Sequence, residues 1–381
     1  MFDDDAKPNL FERALDQVYG DDEHGKAAAR ADITAMHDHD TTDASRAYEL
    51  IARGVWAALR DLGISGGRML TIGQDAETFA GVPVFERRMD PGALSGLAAT
   101  IPKRPGLPGQ APHPGILLRT WDRNADHDRF DVVIAVPAYT DVALHRPGVG
   151  SDRRIEQILG IIGCLANTEP GGYTIALVSR DVLDDADVDS RRLLTELGEL
   201  VGALRMPSGA LRENPGNDAV VDLLIMRRHF GAPIRSHTFL PTSVQLVRGQ
   251  EVRVNQYFRA NPSHVLGRLD ARPSVWGSPE LVVHPTGLGL DRDLTAGLAK
   301  ITDHARAAGL TANTDHCLDP DVSIDNTLAR REDLDAVRRR IRNLRVSKPQ
   351  RAESGKSSPD PPSKPPGPGG EARPDLPGPG F

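Results

Sequence analysis

Apolar positions in the middle of the chain fall into two alternating patterns. From Ala44 to Leu62 they recur at helical spacing, at Ala47, Leu50, Ile51, Val55, Leu59 and Leu62, and stop at Gly63. This predicts an amphipathic helix ended by a glycine. Short β-rich runs follow at Arg68–Ile72, Pro83–Arg87, Gly115–Thr120, Phe130–Val136, Tyr173–Ser179, Val201–Met206 and Ala219–Arg227. Several are continuously apolar, as strands covered on both faces are. Helices are predicted over Arg153–Asn167 and Asp189–Gly202, with Pro170-Gly171-Gly172 supplying a turn. The alternation predicts an α/β fold with a mostly parallel, seven-stranded sheet. Only Pro207–Asp218 separates the last two strands, too short for a comfortable helical crossover, so they are expected to pair antiparallel.

The flanks differ. Residues 1–44 are acidic and read as a flexible arm, with one amphipathic stretch in which Leu10, Phe11, Leu15 and Val18 share a helical face. The α/β domain spans 45–235, an appended segment with C-terminal helices spans 236–346, and 347–381 is a Pro/Gly/Ser-rich tail. That tail has too little apolar surface to offset its ordering entropy and is expected to be disordered.

Composition narrows the function classes. The 381 residues are 39% apolar but only 4% aromatic, with net charge -7. A whole-protein basic field is absent, and stacking platforms for single strands cannot dominate the surface. Two distant cysteines, Cys164 and Cys317, make neither a disulfide nor a zinc framework and fit a reducing cytoplasm. No apolar run approaches the roughly 18 residues of a membrane helix.

Phe130-Asp-Val-Val-Ile-Ala-Val-Pro-Ala-Tyr139 resembles the segment of adenine-N6 DNA methyltransferases that ends in Asn or Asp, two prolines and an aromatic residue. Leu200–Gly209 with Gly216–Ile225 resembles the final strand pair of the modules attached to large plasmid and phage helicases. Val254-Asn-Gln-Tyr-Phe-Arg-Ala-Asn-Pro262 and Val265-Leu-Gly267 resemble the segment that follows. The likeness covers about residues 45–310. It implies a Rossmann-like S-adenosylmethionine methyltransferase fold whose last strand is antiparallel.

The same resemblance implies a glycine-rich cofactor loop after the first strand. Its pattern falls on Thr71, Ile72, Gly73, Asp75, Glu77 and Phe79, of which Gly73 and Phe79 remain recognisable. Asp75 and Glu77 stand where glycines would. They add bulk and oppose the cofactor's carboxylate, by roughly 4 kcal/mol at about 4 Å. The ribose-binding acid falls on Arg88, beside Asp90-Pro91, with Glu86 a substitute only after a two-residue slip. The base-binding acceptor falls on Ala135, followed by Val136 and Pro137. The stacking ring falls on Ala138 or, after a one-residue insertion, on Tyr139. Without its acceptor the adenine amino group is not oriented, at a cost on the order of 10²-fold in rate.

Other constellations are sparse. His37-Asp38-His39-Asp40 matches no closed metal site, and Asp315-His316-Cys317 reads as a loop. A helix is expected over Asn326–Arg345, whose Arg338, Arg339, Arg340, Arg342 and Arg345 either complement the helix dipole or form a DNA-phosphate stripe. The reading is a catalytically inactive, methyltransferase-like, cytoplasmic protein that binds DNA or a helicase or modification partner, with no metal. No cofactor is expected, S-adenosylmethionine if any. An active adenine-N6 methyltransferase and a scaffold subunit are the alternatives.

Overall fold

A computed structural model describes residues 10–65, 67–73, 75–81, 98–100, 129–212, 219–230 and 239–312. Three helices open the chain: α1 (Leu10–Tyr19), α2 (Glu23–Thr41) and α3 (Ser45–Asp61). Helix α3 is the one the apolar spacing predicts. It buries Tyr48, Ile51, Ala52, Val55, Trp56 and Leu59, and Gly63 at φ 97° closes it. Within the expected arm, α1 carries the predicted helical face of Leu10, Phe11, Leu15 and Val18, and 23–41 form a second helix that apolar spacing did not predict.

Strands β1 (Arg68–Gly73), β2 (Ala98–Thr100), β3 (Phe130–Val136), β4 (Thr168–Ser179), β5 (Gly198–Arg205) and β6 (Val221–Arg228) form one sheet in the order β2-β1-β3-β4-β6-β5. The β1–β2, β1–β3 and β3–β4 pairings are parallel, and β6 runs antiparallel between β4 and β5, as the short connection predicts. The sheet has six strands among the described residues. The runs expected at 83–87 and 115–120 lie outside them, as do Asn326–Arg345 and the 347–381 tail.

Helices α4 (Val149–Asn167), α5 (Asp181–Asp184) and α6 (Val188–Leu197) follow β3 and β4. The predicted Asp189–Gly202 helix stops five residues early because β5 begins at Gly198, where a Cβ would stand 2.9 Å from the Arg227 carbonyl oxygen. The Pro170-Gly171-Gly172 turn is instead a register shift inside β4. Two hairpins, β7 (Thr242–Val247) with β8 (Gln250–Asn255) and β9 (Arg268–Arg272) with β10 (Glu280–His284), enclose α7 (Gln256–Ala260). Helix α8 (Leu290–Ala307) returns to the sheet.

Sheet parity sorts the core. Met69, Val132, Ile134, Tyr173, Ile175 and Leu204 join α3 and α8 in one apolar cluster. Leu70, Val133, Ala176 and Leu224 alternate with them and face the other way, the side closed by Ile158, Ile161, Leu165 and Leu194 of α4 and α6. A three-layer α/β/α sandwich results. No helix among the described residues is long and apolar enough to cross a membrane.

The segment from Val254 to Gly267 staples the hairpins to the sheet edge. Asn255 caps α7 and donates to the Leu183 and Phe239 carbonyls, at 2.8 and 2.9 Å. The Tyr257 hydroxyl accepts from Ala203 N–H at 3.0 Å and lies 2.6 Å from His264 Nδ1. That second contact suits a neutral His264. Burial, with the charges of His304 and Lys300, lowers its pKa to about 4. The unfolded chain takes up the proton near pH 6.5 and the folded chain does not, so stability is full above that pH and is lost as pH falls towards 4. Urea titrations should show wild type losing about 2 kcal/mol more than His264→Gln across that window. Equal losses would remove His264 from the account.

Candidate functional site

In an open α/β sheet, ligands sit outside the carboxyl ends of the strands where the strand order reverses, here between β1 and β3. Gly73 and Val136 are register partners at that point. Gly73 has φ 100°, and a Cβ there would lie 2.0 Å from the Val136 carbonyl oxygen. Gly73 is therefore required by its neighbouring strand, and the space its missing side chain leaves is filled by the chain itself. Asp75 takes φ 50°, a left-handed conformation that favours glycine. The loop keeps a glycine-like backbone but carries a half-buried carboxylate, while Glu77 points to solvent. Phe79 is fully buried, and its carbonyl accepts from Trp56 Nε1 at 2.8 Å. Among the described residues of this loop, Gly73 is the one glycine at the strand end, and Asp75 and Glu77 stand where the resemblance implies two more. Asp90, Arg88 and Glu86 lie outside the described residues, as do Arg338, Arg339, Arg340, Arg342, Arg345 and Asp315-His316-Cys317.

At the end of β3, Ala135 pairs within the strand on both sides, with Ile72 and Ala176. Val136 is the last strand residue, Pro137 is half-buried and Ala138 exposed. Counting back from Tyr139 without an insertion puts the acceptor position on Val136, one residue later than the sequence pattern suggested. Either way it is apolar.

Tyr139 is the feature the site is built around. Its φ is 57°, rare for a residue with a side chain. Arg153 Nη1 donates to its carbonyl at 3.1 Å and also to the Val142 carbonyl. Its hydroxyl donates to Asp40 Oδ2 at 3.2 Å, and its ring lies 4.7 Å from that of His39 at a 46° tilt. Burial and the Asp40 charge raise the Tyr139 pKa.

Behind the ring runs a buried polar chain. His39 Nδ1 is 2.7 Å from Asp141 Oδ1, and Arg212 Nε donates to Asp141 Oδ2 at 2.8 Å. Arg212 Nη1 continues to the Thr42 carbonyl. Burial pushes the Asp141 pKa up, but the His39 hydrogen bond and the Arg212 charge outweigh it and hold it below the ordinary value. Two turns back along α2 from His39, Asp32 accepts from the His145 and Arg146 backbone N–H groups, at 2.6 and 3.2 Å, and from Arg146 Nε at 2.8 Å. Trp276, from the β9–β10 connection, stacks on His145 at 4.9 Å and meets His24 at 5.4 Å. Among the described residues no His/Cys/Asp/Glu group could hold a metal ion.

Sequence reasoning missed Asp32, Asp141, Arg153 and Arg212, and placed His39 and Asp40 in an arm. The available signal was the spacing of Gly25, Ala29, Asp32 and His39, which share one face of α2 and are all buried.

No family model and no curated protein matches this chain. Solved structures give a distant likeness. A Listeria monocytogenes protein described as a class I S-adenosylmethionine-dependent methyltransferase is 15% identical with TM-score 0.36, over 52% of this chain and 64% of its own. A chain from a type I restriction–modification system is 12% identical with TM-score 0.35, over 90% and 74%. The 16S rRNA (adenine(1408)-N(1))-methyltransferase from Catenulisporales acidiphilia is 11% identical with TM-score 0.27, over 46% and 93%. The chain thus spans less than two thirds of the Listeria protein. At these scores the likeness adds nothing to what the strand order says.

Proposed function

We propose that this chain is a methyltransferase-like protein that no longer transfers a methyl group and uses the loop after β3 to hold a nucleic-acid base against Tyr139. The observation that carries the reading is an asymmetry at one strand end. The ring is braced on backbone, face and hydroxyl, while Ala135 and Val136 offer no side-chain acceptor and Asp75 and Glu77 occupy the glycine positions. Stacking needs only a π-face, whereas methyl transfer needs the acceptor and the cofactor. The hairpin segment 239–290 supports a nucleic-acid partner. It carries five arginines against three carboxylates in a chain of net charge -7, and Trp276 ties it to the Tyr139 loop. Kinship with the helicase-linked modules belongs to the same proposal and rests on the sequence resemblance.

The test pairs transfer with binding. Tritiated S-adenosylmethionine should leave unmethylated DNA unlabelled, while a duplex with one unpaired adenine binds and Tyr139→Ala weakens that binding about tenfold. Stoichiometric adenine labelling that disappears in Tyr139→Ala would establish an active enzyme instead. The scaffold alternative draws on the Val254–Gly267 staple, whose polar groups serve packing. On that reading Tyr139→Ala changes no binding at all.

A further inference from the structure

Tyr139 is held by a part of the chain that the methyltransferase resemblance does not cover, helix α2. We propose that His39 and Asp40 are positioning residues that set the Tyr139 ring for a nucleic-acid base, with Asp141 and Arg212 locking His39 behind it. The inference rests on the reading of Tyr139 as a base platform.

Three observations carry it. A left-handed tyrosine persists only where its surroundings over-determine it, and here separate groups fix its carbonyl, ring and hydroxyl. The group on the ring is itself immobilised: His39, Asp141 and Arg212 are 1%, 3% and 4% exposed and joined by hydrogen bonds of 2.7 and 2.8 Å. Finally, α2 contributes nothing to the main apolar cluster. Its buried face is Gly25, Lys26, Ala28, Ala29, Asp32 and His39. A helix present for packing alone shows an apolar stripe. Here Lys26 pairs with Asp16 of α1, while the ionisable remainder of the buried face serves the loop that carries Tyr139, through Asp32 to the His145 and Arg146 amides and through His39 to Asp141.

The geometry has a specific consequence. His39 lies tilted against the ring at 4.7 Å, which leaves a base the part of the half-buried ring that His39 does not touch, and the Asp40 contact restrains the ring's orientation. Asp40 therefore acts through the Tyr139 hydroxyl, and the two should be energetically coupled.

A duplex carrying one unpaired 2-aminopurine reports this directly, since stacking on tyrosine quenches the probe. Asp40 is exposed, so its substitution leaves the fold intact. Asp40→Ala and Tyr139→Phe should each weaken binding about three- to fivefold, and the double variant should be no weaker than either single one. Asp40→Glu should restore binding, and His39→Gln should lose the quench. A fully paired duplex should bind all of them alike. Additive losses, wild-type affinity in Asp40→Ala, or an equal loss on paired duplex would overturn the proposal. If wild type fails to quench the probe, the base-platform reading fails, and positioning is then read without DNA. The Tyr139 ring-carbon titration followed by NMR should move down in Asp40→Ala, with His39 the other group against the ring. An unmoved titration would overturn the positioning role.

Discussion

Replacing Arg205 with alanine should cost about 3–5 kcal/mol of folding stability, the range for stripping one partner from a buried ion pair. Arg205 on β5 is fully buried against Asp222 on β6, donating from Nε and Nη2 at 2.8 and 2.7 Å. Both oxygens of Asp184 on α5 lie 2.9 Å from its two Nη atoms, and its guanidinium sits 4.1 Å over the Phe258 ring. Burial works against the charge, but the two carboxylates outweigh it and raise the Arg205 pKa. Removing the guanidinium leaves two carboxylates facing each other in the core. Asp184 also accepts from the Asn255 N–H at 2.9 Å, so the loss reaches the hairpins. Guanidinium unfolding of Arg205→Ala should show the full drop, with melting lowered on the order of 10 °C. The triple variant Arg205→Met, Asp184→Leu, Asp222→Leu should recover most of it, because apolar replacement of a whole buried cluster is often neutral. A loss under about 1 kcal/mol in Arg205→Ala would mean the carboxylates rehydrate at no cost, contrary to their burial.

What was legible in the chain tracks how apolar each buried surface is. The strands β3 and β6 and the Tyr173–Ser179 part of β4 are largely apolar runs, and they form where expected because both faces are covered, although β4 begins five residues earlier. The antiparallel place of β6 followed from a connection too short for a helix. Helix α2 was illegible for the opposite reason. Its buried face is small or ionisable, so a search for apolar periodicity finds a polar, acidic segment and reads an arm. The boundary at Gly198 was missed because Leu193, Leu194, Leu197, Leu200 and Val201 continue a helical spacing into a strand. The distinctive Asn255, Tyr257 and Gly267 signalled a family likeness, yet their side-chain bonds and close approaches serve packing. Gly267, for example, has the His284 carbonyl 2.2 Å from where a Cβ would stand. The candidate site itself was half visible. Tyr139, Gly73 and Asp75 could be named from the pattern, but the residues that brace Tyr139 come from up to 100 positions away in the chain (His39) or lie beyond the motif (Arg153), where no spacing rule reaches them.

Asp141→Ala should be the most damaging single change at the candidate site, costing about 3–4 kcal/mol. It leaves the buried Arg212 guanidinium and the His39 ring facing the hole, with Arg212 still donating to the Thr42 carbonyl. Asp141→Asn keeps the shape and one acceptor oxygen, so it should cost roughly half as much. The pH dependence gives an independent check of the same pair. The folded pKa of Asp141 lies below its ordinary value, so its contribution is complete above about pH 4 and is lost as pH falls through the folded value. Wild type should therefore lose more stability than Asp141→Asn on acidification below pH 4, and the two should converge at the lowest pH where folding can be measured. Parallel curves would show that Asp141 is uncharged in the fold and that His39 is held by shape alone. Convergence joined to a weakened 2-aminopurine quench in Asp141→Asn would tie the buried charge to the presentation of Tyr139. A chain kept for a surface far from this strand end would show the first effect without the second.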